Sequence, residues 1–418
     1  MNTLLSNTRS IAFTASRYLG GAKAFKPRAE ASHPPPPVNQ LSEEELAFQD
    51  TVRLFSNTVV KPLVREMDES NHMDKSVIQG CFENGFMAIE VPETYGGSAS
   101  SFFNVALIVE ELAKIDPSVS VMVDVQNTLV CPLIMQLGTK EQKQKYLSKI
   151  HKDWVGSFCL SEVSSGSDAF ALKTTAKADG DDYIINGSKM WITNAQYAKF
   201  FLVMANCDPS KGYRGITCFL VDRDQAGVSV GKNEDKLGIR ASSTCAVHFD
   251  NVRINKKAIL GELGKGYKYS IECLNAGRIG IAAQMIGLAQ GCLDVTVPYL
   301  QERTQFNKRL MDFQAVQHQV ADLATQIEAA RLMTYNAARI KENNLPFIKE
   351  AAMCKLFSSQ VATTVTSKCV EMMGGVGFSK EFPVEKFYRD CKIGTIYEGT
   401  SNIQLSTIGK IIDNEYKN

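Results

Sequence analysis

The chain of 418 residues lacks most of the short signatures that tie a sequence to one chemistry. Eleven cysteines include no C-x-x-C pair, and most stand among apolar neighbours, as in "GSFCLSE" and "GITCFLVD". That pattern fits buried free thiols in a reducing compartment better than disulfides or zinc. Five histidines, His33, His72, His151, His248 and His318, show no metal-ligand spacing, so no metal site is expected. His248 alternates with Val247 and Phe249 and reads as a strand-face residue. No segment approaches the ~20 apolar residues of a membrane span. There is no G-x-G-x-x-G after a strand, no G-x-x-x-x-G-K-[ST], no H-E-x-x-H and no G-x-S-x-G. Classical nicotinamide, P-loop, zincin and esterase chemistries therefore have no support.

Strong charge of either sign is missing too. The formal charge is +1, but residues 1–29 hold Arg9, Arg17, Lys23, Lys26 and Arg28 and no acid, so the remainder carries −4. Nothing points to nucleic acid. The stretch "MNTLLSNTRSIAFTASRYLGGAKAFKPR" is rich in Ser and Thr as well as bases and has no long apolar core. It predicts a mitochondrial transit peptide, and hence a matrix protein, rather than a secretory signal. "SHPPPPVNQ" (32–40) follows, and its proline run cannot be helical. Residues 1–33 are thus assigned to transit peptide and linker.

What is present is 44% hydrophobic residues, enough for a large core and two or three domains at ~150 residues each. Residues 34–157 carry helical periodicity: "SEEELAFQDTVRLFSNTVVKPLVREMDE" opens on a capping serine with acids in the first turn, and "SFFNVALIVEELAKID" repeats the apolar face. Residues 158–270 switch to short strands such as "GITCFLVDRD", "GVSVGK" and "CAVHFDNVRI". Asn186-Gly187 between two β-rich runs predicts a hairpin. Residues 271–418 return to long helices. Val316, Val320, Leu323, Ile327, Ala330 and Ala337 recur on one face, and small residues at Ala282, Ala283, Ala289, Gly291, Ala351 and Ala352 permit close packing. The expected fold is α+β and multidomain: an N-terminal helical domain, a small barrel-like β domain and a C-terminal four-helix bundle. Apolar stripes beyond the needs of one bundle suggest subunit contacts.

Small polar stretches lie at the seams of these blocks. "FCLSEVSSGSD" (158–168) is a hydroxyl-rich turn able to cradle a diphosphate or the edge of an aromatic cofactor, and "MWITN" (190–194) sets an aromatic plane beside a hydroxyl, although Trp191 on a strand is more often core. "ERTQFNKRL" (302–310) puts Arg303 and Lys308 near a helix end, where a solvated basic face is the plainer reading. "EMMGGVGFS" (371–379) breaks a helix at Gly374 and Gly375 as a C-cap does. In "KIGTIYEGTSNIQL" (392–405) a single carboxylate, Glu398, stands in a run of apolar and small residues. It is either a solvated charge beside a helix cap or a base held in a dry cleft, where desolvation lifts it above ~4.3.

In order and spacing, "FCLSEVSSGSD", "NGSKMWITNA", "GITCFLVDRD", "KLGIRASSTC", "LNAGRIGIAAQMIGLAQG", "ERTQFNKRL" and "EMMGGVGFSKEFPVEKFYRDCKIGTIYEGTSNIQ" resemble the acyl-CoA dehydrogenase family over essentially the whole chain after residue 40. The resemblance implies FAD enclosed between the β domain and the bundle, with part of the nucleotide held by a neighbouring subunit of a homotetramer. It implies cofactor contacts from Phe158, Cys159, Leu160, Ser161, Glu162, Gly166 and Ser167, from Trp191, Ile192 and Thr193 at the isoalloxazine, and from Thr400, Ser401 and Asn402 closing the site. Arg303 and Gln314 would reach the dinucleotide of an adjacent subunit, and Glu371, Met372, Met373, Gly374 and Gly375 its adenosine side. Ser167, Tyr213, Tyr267, Asn275, Ala276, Gly277 and Arg278 would line the acyl-CoA channel. Glu398 resembles the catalytic base, which takes an α-proton while hydride leaves the β-carbon for the flavin. Some branches of the family place that base where this chain has Gly277, which cannot serve. The chain departs from its relatives at Val163, Ser164 and Ser165, which make the flavin loop bulkier, at Asn307 in place of the usual glycine, and at Ala276 in place of a larger acid on the channel rim.

The activity so implied is oxidation of short and 2-methyl-branched acyl-CoA, such as 2-methylbutanoyl-CoA, to trans-2-enoyl-CoA. Electrons would pass to electron-transfer flavoprotein, as in branched-chain amino-acid and fatty-acid catabolism. The same residues serve the reverse reaction, reduction of a 2-methyl-branched enoyl-CoA. An acyl-CoA oxidase is disfavoured because such oxidases usually carry a further C-terminal domain, and a non-catalytic flavoprotein scaffold because Glu398 and Arg278 are both present.

Overall fold

The computed structural model describes residues 37–417; the expected leader at 1–33 lies outside them. Ser42 opens α1 (Glu43–Phe55) with a reciprocal cap, the Glu45 amide donating to Ser42 Oγ (3.2 Å) and the Ser42 amide to the Glu45 carboxylate (2.9 Å). Pro62 removes an amide donor, and the helix gives way to short irregular turns before α2 (Val64–Ser70). Helices α3 (Lys75–Glu83), α4 (Phe102–Ala113), α5 (Pro117–Val125), α6 (Cys131–Leu137) and α7 (Lys140–Ile150) complete this part. α4 is buried throughout, so its acids are neutralised from other helices: Glu110 by Arg331 and Glu111 by Arg53, both at 3.0 Å.

Strands β1 (Val155–Cys159), β2 (Thr175–Asp179), β3 (Asp182–Thr193), β4 (Ala198–Asn206), β5 (Ile216–Asp222), β6 (Val228–Asn233) and β7 (Thr244–Asn255) form a curled mixed sheet in the order β1-β4-β2-β3-β7-β6, with β5 on β4. β4 is covered on both sides. Phe201 and Val203 join Phe219 and Phe249 in the sheet's own core, while Phe200 and Leu202 pack with Val130, Ile134 and Tyr146 of the preceding helices.

The hairpin expected at Asn186-Gly187 is not there. The chain turns at Gly180 and Asp181, closed by the Asp179–Asp182 pair, and Gly180 takes φ +63°. β3 runs on through Asn186 and Gly187, where its pairing with β7 slips. Gly187 serves close approach rather than a turn: a Cβ there would lie 2.4 Å from Thr174 Oγ1. Asn186 Oδ1 accepts the Asn251 amide across the sheet (2.8 Å).

The C-terminal part comprises α8 (Gly266–Glu302), the two-residue strands β8 (Thr304–Gln305) and β9 (Lys308–Arg309), then α9 (Gln314–Glu342), α10 (Ile348–Met373), α11 (Val384–Asp390) and α12 (Ser401–Glu415). α8, α9, α10 and α12 make the expected bundle, with Ile281, Leu288 and Cys292 packed against Leu323, Ile327, Val361 and Val365. The small residues of α8 allow close packing on two sides: Ala289 lies in the bundle core, while Ala282 and Ala283 join the core that includes α4. A Cβ at Gly287 or Gly291 would meet the carbonyl oxygen of Glu110 or Lys114 at 2.1 Å. Phe306 and Asn307 both take left-handed φ, +53° and +61°, a region that asparagine tolerates.

By length and composition two helical stretches qualify for membrane length, contrary to the sequence reading: Pro117–Leu137 and Gly266–Glu302. Both are core, 94% and 83% buried over their most apolar windows. All eleven cysteines are free, and all but Cys207 are buried. His248 lies on the exposed face of β7, 2.8 Å from Ser188 Oγ.

Candidate active site

The loop between α11 and α12 sets the geometry. Glu398 and Gly399 both take left-handed φ, +51° and +84°. For a glutamate this costs about 1–2 kcal/mol, so other contacts must hold it. Gln404 Nε2 donates to Glu398 O (3.0 Å) and Gly399 O (2.8 Å), and the Lys355 ammonium of α10 also donates to Gly399 O (2.7 Å). Thr400 Oγ1 accepts the Ile403 amide (3.4 Å) and starts α12, so the cap is real. The solvated reading of Glu398 nevertheless fails, because its Oε2 is buried without a hydrogen bond. The carboxylate lies over Gly277 of α8, where a Cβ would come within 2.8 Å of Oε2 and 3.3 Å of Leu129 Cδ2. Gly277 leaves the hollow that Glu398 fills.

Electrostatics follow from this burial. Desolvation pushes the Glu398 carboxyl from near 4.5 up to about 7, against the pull of Lys355 and Arg278. Burial also depresses Lys355, to about 8, with Glu398 opposing the fall. Arg278 is likewise lowered by burial. Its Nη1 donates to Asn275 Oδ1 (2.9 Å), while its Nε is buried and unpaired. A carboxylate with a free oxygen, titrating near neutrality in a dry hollow with two cations, can accept a proton from a weak carbon acid.

A second cluster forms around β1 and β3. The Met190 amide donates to Ser161 O (2.9 Å) and Ser157 Oγ to Thr193 O (2.8 Å), making the turn at 158–168 and the segment 190–194 neighbours. β3 slips against β7 again between Lys189 and Ile192, and Trp191 takes φ +63°, rare for a bulky residue. This bulge turns the indole out of the core, leaving it 57% exposed while Ile192 is buried. Trp191 is therefore not the core residue that a strand position suggests. An open aromatic plane beside half-buried Phe158 and Thr193 fits a planar cofactor such as FAD, and Gly166 and Ser167 are exposed in the adjoining turn. Ser161 is half-buried. Cys159, Leu160 and Glu162 are buried and shape the turn from beneath. Glu162 pairs with fully buried Lys189 (2.8 Å) and accepts the amides of Lys173 (2.7 Å) and Thr174 (3.0 Å). The bulkier loop closes by reciprocal amide bonds between Glu162 and Ser165, with Val163 outermost.

The channel residues follow α8. Tyr267 in its first turn stacks with Tyr213 (ring centroids 4.4 Å) and Phe170 (4.2 Å), and Asn275, Ala276 and Gly277 are buried further along. Asn194 Nδ2, next to the Trp191 bulge, donates to Met122 O of α5 (3.1 Å).

Other expected cofactor residues are not gathered here. Arg303 caps α8 at its far end, about 38 Å beyond Arg278 at 1.5 Å per residue, and Glu371 lies about 24 Å beyond Lys355 on α10. Arg303, Gln314, Glu371, Gly374 and Gly375 are exposed and Met372 half-buried, whereas Met373 is in the bundle core. Glu371 pairs with Lys368 (2.7 Å), and Gly374, φ +64°, caps α10. Ser401 and Asn402 open α12 beside the Glu398 loop. Sequence reasoning missed Lys355, Leu129 and a second buried acid, Asp124 of α5. Lys355 and Asp124 are each a lone charge in an apolar run, but one that reads as the core face of a helix rather than as a loop. A cavity of about 660 Å³ opens elsewhere, between Lys61, Arg65, Lys114 and Phe382, and none of these residues lines it.

Comparison with known proteins agrees with this arrangement. The family profiles for the acyl-CoA dehydrogenase N-terminal, middle and C-terminal domains match residues 42–153, 157–252 and 264–412. The chain is 59% identical over 380 residues to the mitochondrial short/branched chain specific acyl-CoA dehydrogenase of Rattus norvegicus, covering 91% of this chain and 88% of that one. A chain from a structure of the electron transferring flavoprotein of Acidaminococcus fermentans superposes with TM-score 0.88 at 39% identity, covering 90% and 99% of the two chains. The glutaryl-CoA dehydrogenase of Mycobacterium smegmatis in complex with FADH2 gives TM-score 0.85 at 31% identity over 90% and 95%. With all three domains matched in order and a relative 59% identical over most of both chains, the chain belongs to the acyl-CoA dehydrogenase family.

Proposed function

We propose that the protein is a mitochondrial matrix flavoenzyme that oxidises short and 2-methyl-branched acyl-CoA to trans-2-enoyl-CoA and passes the electrons to an electron-transfer flavoprotein. The observation that carries this reading is Glu398: a half-buried residue whose Oε2 is buried and unpaired, its carboxyl pushed up to about 7 by desolvation. Similarity to the rat enzyme supports the acyl preference, the oxidative direction and the compartment. FAD would be held by Trp191, Thr193 and the turn from Phe158 to Ser167, with Thr400 to Asn402 closing over it. Arg303, Gln314 and Glu371 to Gly375 stand at the far ends of α8 and α10 from Arg278 and Lys355, exposed to a neighbouring subunit. We infer that they hold the flavin dinucleotide of an adjacent copy in a homotetramer, as the resemblance to the family implies. The working division of 34–157, 158–270 and 271–418 cuts β1 and α8, so within each chain the second part is better begun at Val155 and the third at Gly266.

When bound, the flavin supplies a two-electron acceptor for the hydride that leaves the β-carbon. The protein's task is the thioester's α-proton, a carbon acid far weaker than the carboxyl group that Glu398 becomes on accepting it. Glu398 supplies a base strengthened by burial, and its backbone amide is offered to the thioester oxygen, where enolate charge develops. Lys355 and Arg278 favour the ionised form of Glu398 and so limit the rise that burial causes.

The test is anaerobic mixing of flavin-loaded protein with 2-methylbutanoyl-CoA, butanoyl-CoA and isovaleryl-CoA. The 2-methyl substrate is expected to bleach the flavin fastest. A flavin left oxidised by all three would defeat the assignment. Lys355→Met removes one cation from the base, so the Glu398 value rises by on the order of one pH unit. The acid limb of flavin reduction should move up with it in stopped-flow measurements across pH. An unmoved limb would mean that Glu398 does not feel Lys355.

A further inference from the structure

Asp124 of α5 takes no part in the chemistry above. It is 1% exposed, its Oδ1 has no hydrogen bond, and among the described residues no lysine or arginine pairs with it. Its carboxyl rests on α8 at Gly280, where a Cβ would come within 1.8 Å of Oδ1. Three residues earlier on the same helix face, Gly277 receives Glu398 in the same manner. Two glycines one helical turn apart thus leave two hollows, and a carboxyl group fills each. The other polar neighbours are few. Thr128 follows Asp124 on its own segment, and Tyr397 precedes Glu398 and directs its hydroxyl to Gln284 of α8. Lys355 of α10 and Arg278 of α8 act on Glu398, whose charge in turn helps hold the buried Cys273 thiol up.

We propose that Asp124 is a positioning residue for the base: a carboxylic acid that keeps its proton while Glu398 gives up its own, so that the pocket carries one carboxylate charge and not two. The proposal rests on the reading of Glu398 as the base. Two carboxylates one turn apart in a dry site cannot both ionise cheaply, and the proton stays with the group that lacks counter-charge. Both nearby cations act on the Glu398 carboxyl and neither acts on Asp124. Burial and the Glu398 charge together hold the Asp124 carboxyl well above the ordinary range. A neutral Asp124 leaves Glu398 free to titrate near neutrality; an ionised one would push the base upward and oppose the enolate charge.

The experiment uses holoenzyme labelled with ¹³C at the aspartate carboxyl, examined by infrared spectroscopy one pH unit above the apparent Glu398 value. A protonated-carboxyl band is expected that shifts on labelling and vanishes in Asp124→Asn. The pH profile of acyl-CoA-driven flavin reduction should keep its acid limb in that variant to within about twofold in proton affinity. Absence of a label-sensitive band in the unmutated protein would overturn the proposal without requiring any variant to fold. So would a fall of the acid limb by one unit, tenfold, since Asp124 would then have carried a negative charge. Undiminished flavin reduction by Glu398→Gln would instead overturn the base reading and, with it, the role given to Asp124.

Discussion

Glu398→Gln is expected to lose acyl-CoA-driven flavin reduction by about 10³-fold or more while gaining stability at alkaline pH. Glutamine keeps the shape that fits over Gly277 but has no lone pair basic enough for a carbon acid, and general-base contributions run to about 10²–10⁴-fold. The stability gain has a definite sign. Glu398 titrates near 4.5 when exposed and at about 7 in the folded chain, so its protonated form favours the native state. The ionisation penalty is absent below the first value, grows between the two and is complete above the second. It amounts to at most about 3 kcal/mol. Glutamine never carries it, so thermal unfolding of the two proteins should converge at acid pH and separate above neutrality. Equal rates, or a variant less stable at high pH, would contradict a buried base.

Lys189→Met should destabilise the fold by about 3–5 kcal/mol and weaken flavin retention, because it strands a buried carboxylate. Lys189 is wholly buried and donates to Glu162 (2.8 Å) and Leu160 O (3.0 Å), while Glu162 anchors the amides of Lys173 and Thr174 beneath the turn at 158–168. Removing the cation leaves Glu162 charged and unpaired, or protonated with fewer acceptors for those amides. Adding Glu162→Gln should recover part of the loss, since a neutral side chain tolerates the apolar neighbour. Urea unfolding and flavin content per chain measure the two effects. A loss under about 1 kcal/mol would show that the pair contributes little net stability.

The two-carboxyl hollow and the buried pair were unequally legible in the sequence. The alternation of helical, stranded and helical blocks was plain from periodicity, and local chemistry placed the caps at Ser42, Thr400 and Gly374. Asn186-Gly187 misled because the dipeptide is a local turn signal, whereas the close approach of Thr174 and the pairing with Asn251 are tertiary. Glu398 stood out as a lone acid among small residues. Lys355 and Asp124 did not, because each sits in a helix whose apolar run reads as core, and only packing of α5, α8 and α10 brings them to the loop. Trp191 was legible as an aromatic but not as an exposed one, since the bulge that turns it out arises from slipped pairing with β7.

Gly277 and Glu398 compete for one volume: a side chain begun at 277 runs into the carboxylate at 2.8 Å. A base carried on α8 and a base carried on the loop would contend for that volume, and one of the two flexible side chains would have to turn aside. A lineage shifting the base from one to the other by single substitutions passes through an overfilled pocket or an empty one. Each change is harmful alone and harmless only with its partner, so the location of the base is held by epistasis between two distant codons, independently of how well either location performs.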